Sequence, residues 1–116
     1  SGVGRGYYRE NDVKILHEWV NNELKNNAAH IDDFQFATYY KYSKLKKYRK
    51  KKNLRKPFIG MFKNLKKEWN FMQNKSLVVG DKETDIEFAK NAGLKSIKIN
   101  PKDDIFYKVK RKLQSL

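Results

Sequence analysis

The order of residue patterns along this chain predicts an α/β fold, with helices packed around a parallel sheet. Three observations carry that expectation. Apolar residues recur at three- and four-residue intervals in four segments. Between those segments lie three short runs that alternate or are continuously apolar, as strands do. Strands separated by helices of about 10–15 residues form parallel β-α-β units.

Taken in order, Gly2 to Arg9 is a turn-rich loop containing Gly2, Gly4 and Gly6. Asp12 is a suitable N-cap for a helix from Val13 to Lys25, whose apolar stripe is Val13, Leu16, Trp19, Val20 and Leu24. "DDFQFATYY" alternates, with Phe34, Phe36 and Thr38 on one side and Gln35, Ala37 and Tyr39 on the other, which predicts a strand. From Lys41 to Lys56, ten of sixteen residues are Lys or Arg and no apolar period survives, so 41–56 reads as a solvated basic loop. Pro57 closes that stretch. Gly60 to Phe71 then carries Met61, Phe62, Leu65 and Trp69 at helical spacing. "SLVVG" is a short buried strand. "DIEFAKNAG" is a helix with Ile86, Phe88 and Ala89 inward and Gly93 as its stop. "KSIKIN" alternates as a further strand. After Pro101 a terminal helix places Ile105, Val109 and either Tyr107 or Lys108 on one side.

The 116 residues suit one modest domain spanning 1–116, and 39% hydrophobic with 14% aromatic residues describes a globular chain. No apolar run is long enough for a membrane span and no signal-peptide pattern opens the sequence. Cysteine is absent, which excludes disulfides and Cys-based metal sites. These features fit a cytoplasmic protein. The net charge of +14 suits polyanionic partners or phosphorylated substrates, and equally follows from a Lys- and Asn-rich composition.

Three stretches carry candidate chemistry. Asp81 directly follows Val79-Gly80 at the carboxyl end of a strand, where ligands of open α/β sheets bind. A carboxylate there suits Mg²⁺, which keeps one or two protein carboxylates beside a phosphate. Asp85 falls in the first helical turn, where it either supports that site or only favours the helix dipole. Arg55-Lys56-Pro57 offers a guanidinium for bidentate phosphate contact and a lysine point charge, or simply continues the basic run. "SGVGRG" offers glycine-rich backbone and Arg5 to an anion. It follows no strand, so it is no dinucleotide fingerprint.

Together, Ser1-Gly2-Val3-Gly4-Arg5-Gly6-Tyr7, Arg55-Lys56-Pro57 with Gly60-Met61, and Gly80-Asp81-Lys82 with Asp85 resemble the haloacid dehalogenase (HAD) superfamily of aspartate-nucleophile phosphatases. Within it they resemble the D-glycero-D-manno-heptose 1,7-bisphosphate phosphatases and their histidinol-phosphatase relatives. The resemblance implies a three-layer Rossmann-like core, incomplete at its N-terminus. It implies a Mg²⁺-dependent phosphatase of sugar bisphosphates acting through an aspartyl-phosphate, with histidinol phosphate the alternative substrate. By the same resemblance Lys56 is catalytic, steadying the transferred phosphoryl group. Ser1, Gly2, Arg5, Arg55 and Lys82 contact substrate, Asp81 is a Mg²⁺ ligand, and Asp85 supports the site.

Two features depart from the family pattern. No Asp-x-Asp-Gly-Thr strand is present, so a missing N-terminal segment is expected to complete the site and the chain alone to be inactive. The loop before Arg55 has neither Cys nor His, so the zinc ion of many relatives is not expected; His17 and His30 lie elsewhere. A rival reading takes Lys41 to Lys56, with Tyr42 and Tyr48 among its lysines, as a nucleic-acid surface. That reading leaves Gly80-Asp81-Lys82 without a role, so nucleic acid is the less favoured partner and a phosphorylated small molecule the favoured one.

Overall fold

The computed structural model describes residues 1–116 as a mixed α/β chain with four α-helices and a small parallel sheet. It divides into two compact units, Ser1–Arg55 and Lys56–Leu116.

In the first unit, Ser1 to Tyr7 coils into consecutive turns. The N–H of Arg5 donates to Ser1 O (2.9 Å), that of Gly6 to Val3 O (3.0 Å) and that of Tyr7 to Gly2 O (2.9 Å). Gly6 has φ +81°, where an L side chain is strained. Helix α1 is Glu10–Lys25, and it begins earlier than the apolar stripe suggests. Its N-cap is Arg9. Asp12 stands three residues in and accepts the Arg9 N–H at 2.8 Å, the returning half of a capping box. No α1 residue is buried, and Leu16 and Trp19 are more than half exposed.

The expected strand at 34–39 does not form. The segment is uniformly half-buried but belongs to no ladder. Alternation supplies a face, whereas a strand also needs a neighbouring edge. The face itself is as expected: Phe34 stacks on His17 (4.2 Å between ring centres, 8° apart) and Phe36 meets the same ring edge-on at 5.8 Å. The basic segment 41–56 is more ordered than a solvated loop. It contains 3₁₀ turns at Lys46–Arg49 and Lys52–Leu54, and Ser43 and Tyr48 are buried. Tyr48 donates its hydroxyl to Glu10 Oε2 (2.8 Å), while its backbone carbonyl accepts the Tyr40 N–H (2.8 Å).

The second unit is built on a β-α-β crossover. Strands β1 (Leu77–Gly80) and β2 (Lys95–Lys98) pair in parallel, with Leu77 opposite Lys95 and Gly80 opposite Lys98. The Ile99 N–H extends the ladder to Gly80 O at 2.8 Å. The crossover helix α3 is Glu83–Ala92. It ends where Gly93 turns to φ +71° and the Leu94 N–H reaches back to Ala89 O (2.8 Å), a Schellman closure. Helix α2 is Gly60–Glu68, shorter than expected because the Trp69 backbone is already extended. The core comprises Phe62, Ala89, Ala92 and Ile99, with Phe71 edge-on to Phe62 at 5.9 Å. Helix α4 is Ile105–Gln114. Its inward contact is Lys108, whose ammonium donates to Asp103 Oδ2 (2.8 Å) and Lys98 O (3.1 Å); Ile105 and Tyr107 are exposed.

These packing roles rank two substitutions. Phe62→Ala empties a core position and is expected to cost about 3–5 kcal/mol. Gly93→Ala forces a Cβ into the left-handed region and is expected to cost about 1–2 kcal/mol. Denaturant unfolding of the two variants measures the order, which reverses if the core is loosely filled.

Candidate active site

Asp85 is the organising group of the second unit. It is only 6% exposed, because α3 starts immediately beyond β1 and turns its third residue back over the strand end. Its Oδ2 accepts the backbone N–H groups of Lys82 (3.0 Å) and Asp81 (3.1 Å). Its Oδ1 accepts the Lys56 ammonium in a salt bridge. Gly80 is required beneath it, since a Cβ there would overlap the Asp85 carboxylate. Burial alone would raise the Asp85 carboxyl. The hydrogen bond from Lys56, the Lys82 N–H, the Lys56 charge and the Asp81 N–H together outweigh it, and the group titrates below the ordinary carboxylate range.

This geometry separates the two aspartates. Asp85 spends both oxygens inside the protein. Asp81, one residue beyond β1, is exposed and its side chain has no partner in the chain. No three His, Cys, Asp or Glu side chains gather into a ligand cluster. Asp81 therefore fits a hard cation that takes one protein carboxylate and fills its remaining positions with water and phosphate oxygens. Lys56 is held by Asp85 yet its side chain is 43% exposed, so donors remain for an external anion. Lys82 caps α3 with its backbone and leaves its side chain in solvent.

In the first unit, Ser1, Gly2 and Arg5 lie in the turn-rich loop. Arg5 Nε donates to Ser1 Oγ (3.2 Å), and the guanidinium lies over the Tyr40 ring, 4.2 Å from its centre. Gly2 faces the Tyr8 ring, which fills the space a Cβ would need. Arg55 is exposed after the second 3₁₀ turn. The charges of Arg55 and Arg5 both act at Ser1, so these three residues are electrostatic neighbours. The structure thus groups Ser1, Arg5 and Arg55 in one unit, and Lys56 with Asp81, Lys82 and Asp85 in the other.

Sequence reasoning missed the Lys56–Asp85 bond, which spans 29 residues. It also missed Tyr40 beneath Arg5 and the buried Tyr48. The one available signal was an aromatic interrupting a lysine run.

The HAD-hydrolase-like family model matches residues 53–100, the stretch that carries the strand-end carboxylate, the helix-borne aspartate beneath it and the lysine bound to that aspartate. Among the relatives of this chain is a Rhodopseudomonas palustris protein named D-glycero-beta-D-manno-heptose-1,7-bisphosphate 7-phosphatase. It is 39% identical over 109 residues, which cover 93% of this chain and 61% of the relative. Proteins of Photorhabdus laumondii and Burkholderia mallei are named D-glycero-alpha-D-manno-heptose-1,7-bisphosphate 7-phosphatase. They are 32% and 33% identical, each over 94 residues and 81% of this chain, covering 51% and 50% of their own lengths. The chain thus spans between about half and three-fifths of the length of these relatives.

The depressed Asp85 carboxyl sets a pH dependence. Its folded value lies below its unfolded value of about 3.9, so its stabilisation is complete above that value and is lost as pH falls through the folded value. Asp85→Asn is expected to lower stability at pH 7 by about 1–3 kcal/mol, the range for a hydrogen bond to a charged group. The gap from the unsubstituted chain should close on acidification below about pH 4. Thermal unfolding across pH 2–7 (a range chosen to bracket the carboxylate values of about 4) reads this. A gap that stays constant would show that Asp85 titrates normally.

Proposed function

We propose that residues 1–116 are part of a HAD-type phosphatase domain that hydrolyses a sugar bisphosphate with Mg²⁺, the first candidate being D-glycero-β-D-manno-heptose 1,7-bisphosphate. The observation that carries the reading is the Lys56–Asp85 pair beside the unpartnered Asp81 at the strand end. The names of the relatives supply the substrate class, and the Rhodopseudomonas palustris relative the β form. A cytoplasmic setting goes with this reading.

In this mechanism Asp85 holds the Lys56 ammonium in place through one oxygen, and Lys56 turns its remaining donors to the phosphoryl oxygens. Because the donor is fixed before substrate arrives, no reorganisation is needed as charge rearranges there. Asp81 would supply a protein ligand to Mg²⁺, whose chemistry is to offset negative charge on the phosphate. Arg5, Arg55, Ser1 and Gly2 hold substrate, with Lys82 near it. The chain contains no Asp-x-Asp pair, so the nucleophile of the covalent step is drawn from outside these residues.

The 116 residues alone are expected to release no phosphate. Joined to an Asp-x-Asp-Gly-Thr strand segment of the family type, they should hydrolyse the bisphosphate in Mg²⁺. Lys56→Ala should then lower kcat by about 10²-fold or more, as for loss of one preorganised donor, while Lys50→Ala has little effect. Asp81→Asn should remove the response to Mg²⁺. Turnover indifferent to Lys56→Ala and Asp81→Asn would overturn the proposal.

A further inference from the structure

The first unit contains a cleft of about 260 Å³ that Arg5 lines and that none of Lys56, Asp81 and Asp85 lines. One wall is the glycine-rich loop with Gly4, Arg5 and Gly6; the other is the start of the basic segment, with Lys44, Leu45 and Tyr48. We infer that this cleft is a phosphate-binding site in which Lys44 and Arg5 hold the phosphate group of a small molecule.

The lining contains two cations and no carboxylate. The acidic group bonded to a lining residue is Glu10, and it is engaged by the Tyr48 hydroxyl (2.8 Å). Arg5 is fixed from two sides, by Nε on Ser1 Oγ and by the Tyr40 ring under the guanidinium, which leaves its terminal nitrogens free to donate. A guanidinium held flat in this way binds phosphate with less ordering cost than a loose one. Lys44 forms no ion pair in the chain. Gly4 is buried and lines the cleft. Size selects the ligand: small-molecule pockets run about 300–1,000 Å³, so this cleft takes one phosphate-bearing end of a small molecule.

The order of the loop supports the same conclusion. Tyr48, anchored to Glu10 and to Tyr40, holds the segment after Lys44 in place. The Leu45 N–H is tied to Ser43 Oγ at 3.3 Å. Lys44 therefore projects from a turn pinned on both sides. It is set apart from Lys50 and Lys51, which do not line the cleft.

The identity of the ligand rests on the phosphatase reading; the binding of phosphate does not. Titrating the 116-residue chain with inorganic phosphate, followed by amide NMR, is expected to shift Gly4, Gly6 and Leu45. Lys44→Ala should weaken binding about tenfold, the loss of one charge-assisted contact, and Lys50→Ala less than twofold. Equal weakening by both, or shifts that avoid residues 3–6, would overturn the site. Phosphate binding at the cleft with no turnover of any ester by the chain joined to its catalytic strand would sink the phosphatase reading and leave the cleft standing.

Discussion

A carboxylate as shielded as Asp85 costs several kcal/mol unless its lone pairs are used, and the second unit is arranged around using them. The N–H groups of Asp81 and Lys82 converge on one oxygen, which fixes the turn from β1 into α3. The Lys56 ammonium takes the other, which fixes the chain just ahead of α2. Gly80 follows from the same demand, because only a residue without Cβ lets the carboxylate lie so close to the strand end. Asp81 is then left at the sheet's carboxyl edge, facing water, with nothing in the protein competing for it. One buried charge thereby produces a held cation and a free anion side by side. The phosphate and Mg²⁺ site proposed above would use that pairing.

Much of this was legible where the determining forces are local. The unit β1–α3–β2 followed from an apolar run, a helical period, a glycine stop and a second run, and each is decided within about a dozen residues. The place of Asp81 at the strand end was legible for the same reason, since it follows from the strand that precedes it. The partner of Asp85 was not. Arg55 and Pro57 mark Lys56 out from the other lysines of the run, but nothing near it names Asp85 as its partner, and the bond is made across 29 residues by tertiary packing. The failed strand at 34–39 has the complementary cause. Its aromatic alternation is real and is spent on His17, but ladder formation depends on an edge that no local pattern can report. Asp12 shows a finer limit. An acidic residue near a helix start reads equally as N-cap or as the third residue in, and both Asp12 and Asp85 took the inner position.

The net charge of +14 invites an account in which the whole surface attracts anions. Its distribution argues for something narrower. A field summed over 27 cations decays within about 8–10 Å at ordinary ionic strength, and it cannot distinguish one lysine from the next. Fixed geometry can. Lys56 is distinguished by a buried carboxylate, Arg5 by an aromatic ring and a serine hydroxyl, and Lys108 by Asp103 and a strand carbonyl. Each of these cations is constrained by a partner that the composition does not reveal. The lysine at the end of the basic run is therefore chemically unlike the lysines within it, because Asp85 holds its ammonium in one position.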